Sequence, residues 1–237
     1  MSNPEPGSPP RRRKLPPAAS REWEQQAWAE GFERVAGVDE AGRGALAGPV
    51  VAAAVIMPPQ PLLDHVTDSK LLPPADREAL AAEIRQVALA WAVAIIPPGV
   101  IDAVNILQAN HRAMREALRA LQPAPALALI DGHPLPGSEF PQRNLIGGDR
   151  RCYCIAAASI LAKTTRDQLM VVLDGEYPAY GFAGHKGYGA ATHLAALRRL
   201  GPCPAHRLSF APCAQTGQPC LDFTELNADR ERTSHNE

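Results

Sequence analysis

Two apolar runs in this chain of 237 residues stop on carboxylates. Val35-Ala36-Gly37-Val38 runs into Asp39-Glu40, and Leu127-Ala128-Leu129-Ile130 runs into Asp131-Gly132. Short apolar runs bounded by acids read as buried strands. A carboxylate at the carboxyl end of such a strand stands at the rim of the sheet, where open α/β folds place their sites. If the two strands are parallel neighbours, Asp39 and Asp131 lie side by side. Like charges that close repel, so the pair needs a cation between them or a raised pKa. Hard oxygen donors with no adjacent cysteine favour Mg²⁺ or Mn²⁺ over zinc. Asp131 alone also fits a plain Asp-Gly turn. Asp39-Glu40 does not, because Ala41-Gly42-Arg43-Gly44 follows it. Successive strand residues face opposite ways. Both acids are therefore expected to serve one site only if the strand ends or bulges there, which Gly42 and Gly44 allow.

The remaining pattern alternates strand and helix. Pro49 to Met57 and Ala88 to Ile96 read as further apolar strands, and Ala126 to Ile130 as a fourth. Helices are expected from Ala75 to Val87, behind Pro73-Pro74, and from Ile106 to about Leu121. Ile155 to Val172 and Ala190 to Leu200 read as two more, after the last strand. This order describes a mixed α/β layer with a helical C-terminal lobe. The folded core is expected to begin near Arg34, after a Pro/Arg-rich arm (1–33) that is largely disordered apart from a short helix over Glu22 to Phe32. A polar tail occupies 213–237. Six of the 24 prolines fall in the first 17 residues, which marks the arm as extended and low in apolar content.

Composition excludes several classes. Lys+Arg 24 against Asp+Glu 25 leaves a formal net charge of −1, so nucleic acid cannot be held by gross positive charge and would need a local basic face. The longest apolar stretch, Ala45 to Met57, is interrupted by Gly48-Pro49 and is too short to span a bilayer. The N-terminus lacks an apolar signal core. A cytoplasmic protein without membrane contact, acting as a monomer, is the expectation. The five cysteines form an odd set without CxxC spacing, which argues against a zinc site and for reduced thiols.

A third acid, Asp149, follows Gly147-Gly148 and precedes the long helix; it reads either as a site residue or as an acid favoured by the helix dipole. Within that helix Ser159, Lys163 and Asp167 are spaced four apart on one face. Lys163-Asp167 is then a surface pair, or Ser159 and Lys163 face a phosphate. Gly42, Gly44 and Gly48 do not make a dinucleotide loop, because a strand and not a helix follows them. Glycines flanking an arginine suit a backbone that approaches a sugar or phosphate closely.

Taken together, these segments resemble type 2 ribonuclease H, the ribonuclease HII family. The block Val35 to Ile56 is similar to the family's first motif, Asp-Glu followed by Gly-Arg-Gly included. Asp68-Ser-Lys70, Asn105-Ile-Leu107, Ile130-Asp-Gly132, Ala156 to Asp167, Tyr180 to Gly189 and His206 to Phe210 follow in the family's order, so the resemblance spans about Arg34 to Pro212. It implies an RNase H-like mixed five-stranded sheet flanked by helices, with a C-terminal helical region and a catalytic domain over 34–212. It implies an endoribonuclease that hydrolyses the RNA strand of RNA/DNA hybrids and cuts 5′ to single ribonucleotides in duplex DNA. Catalysis would use Asp39, Glu40, Asp131 and Asp149 holding two Mg²⁺ or Mn²⁺ ions about 4 Å apart. Gly42, Arg43 and Gly44 match the segment that reads the ribose 2′-OH. Tyr188 matches the tyrosine that packs on the sugar beyond the cut. Lys70, Lys163, Lys186 and Arg207, with Ser159, match positions that contact the substrate, although each basic residue alone also fits a surface salt bridge.

The sequence departs from the family at Gly148, where lysine is usual, so a phosphate contact is missing or supplied by Arg150 or Arg151. Cys152 and Cys154 stand where apolar or small residues are more common. In the tail, Gln218 to Phe223 resembles the short motif by which bacterial proteins dock on the sliding clamp. Competing readings are a DNA resolvase-like nuclease of the same fold class and a non-catalytic hybrid-binding module. Gly42-Arg43-Gly44 with Tyr188 argues against the first, and the presence of all four acids against the second.

Overall fold

The computed structural model describes residues 15–215. Helix α1 (Glu22–Ala29) leads into strand β1 (Val35–Ala41), followed by β2 (Val50–Ile56) and a short 3-10 turn at Ser69–Leu71. Next come α2 (Pro74–Val87), β3 (Ala90–Ile96), α3 (Pro98–Val104) and α4 (Ile106–Arg119). Strands β4 (Leu127–Asp131) and β5 (Gln142–Leu145) precede α5 (Gly148–Arg151) and the long α6 (Tyr153–Glu176). The C-terminal lobe holds α7 (Phe182–His185), α8 (Ala191–Leu200) and α9 (Ala211–Ala214). The clamp-like segment Gln218 to Phe223 and the arm before Leu15 lie outside the described residues.

The five strands form one mixed sheet in the order β3-β2-β1-β4-β5. β1 pairs antiparallel with β2 and parallel with β4, and β4 pairs parallel with β5. All seven residues of β2 are buried, because it is central and covered by helices on both faces. β3, at the edge, alternates instead and leaves Trp91 and Ile95 partly in water. β5, which no apolar run announced, is the polar segment Gln-Arg-Asn-Leu on the other edge.

Each face of the sheet has its own core. Val35, Ala41, Ala53 and Val55 pack under α6, while Ala36, Val38, Ala52 and Ala54 pack under α4. Contact with α6 is close: a side chain at Gly37 would collide with the Cys154 backbone. Cys154, Ala156, Ala157 and Ala158 supply the small side chains that this distance requires. The packed body begins earlier than the expected Arg34. Ala19 N–H donates to Val66 O at 2.8 Å, Ala27 is fully buried, and Trp23 and Trp28 lie against the α6-side core. Residues 15–33 are therefore packed onto the folded unit, through the face of α1 that carries Trp23, Ala27 and Trp28.

Candidate active site

Parallel pairing aligns the two acid-terminated strands. Val38 is in register with Ile130, so the next step along both strands brings Asp39 beside Asp131. β5 continues the rim: Asp131 is in register with Leu145, and the chain then turns through Gly147, at φ 66, into α5, which carries Asp149. The Gly148 N–H donates to Asp131 Oδ1 at 2.7 Å, which ties the third acid's segment to the second acid.

The strand neither ends nor bulges at Asp39-Glu40, contrary to expectation; its pairing with β2 is regular through Ala41. The two acids consequently face opposite sides of the sheet. Asp39 looks toward the α6 side, near Ser159, and Glu40 toward the α4 side, near Asn110. They still serve one rim because β4 stops at Asp131, leaving no strand residue beside Glu40 to separate the two faces.

The electrostatics of this rim are unfavourable without a cation. Burial pushes the Asp39 carboxyl well above its usual range, with Glu40 and Asp131 adding to the rise and the Glu40 N–H, 2.7 Å away, opposing it. Burial also raises Glu40, which Arg43 at 3.4 Å partly offsets and Asp131 reinforces. Asp131 rises through burial too, opposed by the Gly148 N–H and reinforced by Asp149. Asp39, Glu40 and Asp131 lie within electrostatic reach of one another and Asp149 within reach of Asp131, with few cations in direct contact, a donor set that hard divalent ions fit.

Lys70 reaches over this set, its Nζ 3.6 Å from Asp149 and 4.0 Å from the buried Asp68. Burial lowers its pKa, but Asp68 and Asp149 more than reverse this, so the net shift is upward. Asp68, unassigned in the sequence reading, accepts from Lys70 N–H at 2.9 Å and from Arg150 Nε at 3.0 Å. Arg150 is thus tied to the rim, whereas Arg151 donates to Ile146 O.

Beside the acids opens a cleft of about 440 Å³, lined by Glu40, Gly42, Arg43, Gly44, Ser69, Lys70, Ser159, Lys163 and Tyr188. Most of the expected substrate residues therefore line one surface. Two do not. Lys186 lines a separate depression with Arg77 and Asp167, and its Nζ donates to Ala183 O. Arg207, expected to touch phosphate, is fully buried and donates to Gly48 O and Arg43 O, both at 3.0 Å. It braces the Gly-Arg-Gly segment from beneath. Lys163 both lines the cleft and pairs with Asp167 at 2.7 Å, and Asp167 also takes Arg77 at 2.9 Å.

Arg166 was not singled out from sequence, yet it is the hub of this segment. Fully buried, it donates to Ala47 O, Pro49 O and Lys186 O, and its guanidinium lies 5.3 Å from the Tyr188 ring centre. The Tyr188 backbone is held as well. Cys203 N–H donates to His206 Nδ1, so His206 Nε2–H must face His193 Nε2, which leaves His193 Nδ1–H for the Tyr188 carbonyl. Burial, with His193 adding, pushes His206 down to about 4, so this chain of imidazoles is neutral near pH 7. Asn110 was also missed; it is the polar residue on the otherwise apolar buried face of α4.

Comparison with known proteins gives a consistent result. The family description "Ribonuclease HII" matches residues 36–213. A ribonuclease HII of Moorella thermoacetica is 54% identical over 188 residues, covering 79% of this chain and 91% of its own. One from Geobacter sp. strain M21 is 55% identical over 188 residues, covering 79% and 82%. Among solved structures, the ribonuclease H2 of Pyrococcus horikoshii superposes with a TM-score of 0.64 at 25% identity, covering 77% of this chain and 96% of that one.

Proposed function

The chain belongs to the ribonuclease HII family and is a ribonuclease H nuclease, and from that premise we propose which substrate it cuts and how. It hydrolyses the RNA strand of RNA/DNA hybrids and cuts on the 5′ side of a single ribonucleotide embedded in duplex DNA, leaving 3′-OH and 5′-phosphate ends. The observation that carries this reading is the meeting of two features at one rim: the repelling carboxylates Asp39, Glu40 and Asp131 with Asp149 beside the last, and the glycine-flanked Arg43 in the adjoining cleft.

Asp39, Glu40, Asp131 and Asp149 would hold two Mg²⁺ or Mn²⁺ ions, which supply an activated water and stabilise the leaving 3′-oxygen. Such ions would also relieve the repulsion that, after burial, helps to raise the carboxyls of Asp39, Glu40 and Asp131. No side chain need act as nucleophile. Lys70, largely exposed and poised above Asp149, would meet a substrate phosphate. The Gly42–Gly44 backbone has the bareness to approach a ribose 2′-OH, the group that marks RNA. Nothing lies within 4 Å of where a Gly44 side chain would begin, so that position faces open space.

Tyr188, a residue 39% exposed whose ring is backed by Arg166, would pack on the sugar beyond the scissile phosphate. This assignment is tested by comparing two substrates, a duplex with one ribonucleotide and a long RNA/DNA hybrid. Tyr188→Ala should lower the rate on the single-ribonucleotide duplex at least tenfold more than on the hybrid. Equal losses on both would remove Tyr188 from junction recognition.

A further inference from the structure

The two cysteines that depart from the family pattern do not stand alone. Cys152, between α5 and α6, and Cys154, in the first turn of α6, bring their sulfurs to 3.5 Å. The Glu24 carboxylate of α1 closes the group, and the three donor atoms all lie within 4.8 Å of one another. Among the described residues, no other three His, Cys, Asp or Glu side chains meet this tightly. Both cysteines are fully buried and Glu24 is 3% exposed. Glu24 Oε1 accepts the Cys154 N–H at 2.7 Å, while Oε2 is buried with no hydrogen-bond partner.

A carboxylate oxygen buried without a donor is costly, and here it borders two thiols. We propose that Glu24, Cys152 and Cys154 are the protein ligands of a second metal site, separate from the carboxylate rim and selective for a softer cation, Zn²⁺ above Mg²⁺ or Mn²⁺. Thiolates select zinc where carboxylates alone select hard ions. Zinc-thiolate bonds of about 2.3 Å at a tetrahedral angle place two sulfurs about 3.8 Å apart, so the pair needs to open only slightly. A water or Glu24 Oε1 completes the four-coordinate shell.

The missing CxxC spacing hid this site, because its third donor comes from α1, some 130 residues earlier. Its place in the fold gives it a structural task. Cys152 N–H donates to Gly148 O and Tyr153 N–H to Ser20 O, so a metal here would pin α1 to the turn that follows Asp149.

The test uses the full-length reduced chain, unfolded with chelator and refolded with one equivalent of Co²⁺ and excess Mg²⁺ to occupy the carboxylate rim. A thiolate-to-cobalt charge-transfer band at one ion per chain, displaced by Zn²⁺, is expected. Cys152→Ser with Cys154→Ser should abolish the band. Glu24→Gln, which keeps an acceptor for the Cys154 N–H, should weaken Co²⁺ binding at least tenfold. Absence of the band in a chain whose circular dichroism shows it folded would overturn the proposal. So would a band that persists in the double variant, since Cys203, Cys213 or Cys220 would then be its source. Should the double variant fail to fold, Glu24→Gln decides: unchanged affinity overturns the site.

Discussion

Gly42 lies directly over the buried guanidinium of Arg166, so close that a Cβ at position 42 would overlap Arg166 Nε. Gly42 also holds φ at +91°, a conformation side chains disfavour. Gly44, two residues on, has neither constraint. The two glycines therefore make a matched pair of tests. Gly42→Ala should cost about 1–3 kcal/mol of stability and lower cleavage at least tenfold. Gly44→Ala should leave the melting temperature unchanged yet still raise KM or lower kcat, because the added methyl enters the cleft. A Gly44→Ala enzyme with wild-type kinetics would mean that substrate does not approach this backbone.

Arg166 acts through others and is a positioning residue. Arg166→Met keeps the length of the side chain but leaves the carbonyls of Ala47, Pro49 and Lys186 without their donor. A loss of about 3 kcal/mol is expected, read as a fall in Tm of several degrees by calorimetry. Activity per folded molecule should fall mainly on the single-ribonucleotide duplex, through the ring of Tyr188. A Tm within a degree of wild type would contradict the buried-hub assignment.

Salt dependence distinguishes Arg207, a buried brace, from Lys70, the proposed phosphate contact. Removing a phosphate contact lowers the slope of log K against log[salt] by about 1. Lys70→Ala should show that reduction with little change in stability, since its side chain is 74% exposed. Arg207→Met should do the opposite: lower Tm, with an unchanged slope for the molecules that fold. Binding isotherms of a catalytically silent background at several salt concentrations check both.

Without metal, the acidic rim works against the fold. The carboxyls of Asp39, Glu40 and Asp131 are raised in the native state, so the fold favours their protonated forms. Their contribution is fully present below the unfolded carboxylate range of about 4 and is lost as pH rises through the raised native values. Asp39→Asn, which keeps the acceptor for the Glu40 N–H, should abolish cleavage and raise Tm in EDTA by a few degrees. The gain should shrink as pH is lowered toward 4 and when Mg²⁺ is added to wild type. A lower Tm for Asp39→Asn in EDTA would show that the acids are not in conflict.

What the sequence made legible followed from how each segment is buried. β1, β2 and β4 lie inside the sheet, so their residues form apolar runs that announce strand and rim together. β5 is a polar edge of four residues and carries no such signal. That Asp39 and Glu40 stand at a sheet rim was readable, but not how the two faces meet there, because the early end of β4 is a property of the neighbouring strand. Basic residues were the weakest ground. Arg166 and Arg207 look like surface charges in a linear sequence, yet their guanidinium groups answer backbone carbonyls of the Gly42–Pro49 segment, a pairing that only the tertiary fold creates. Glu24 was invisible for the same reason.

The most direct measurement is cleavage of a DNA duplex carrying one ribonucleotide, with Mg²⁺ or Mn²⁺, with EDTA, and beside Asp39→Asn. A single metal-dependent cut on the 5′ side of the ribonucleotide, absent in EDTA and in the variant, is the predicted result. An uncut duplex with metal present and the protein folded, or a cut that persists in Asp39→Asn, would contradict the assignment of the carboxylate rim as the catalytic site for this substrate.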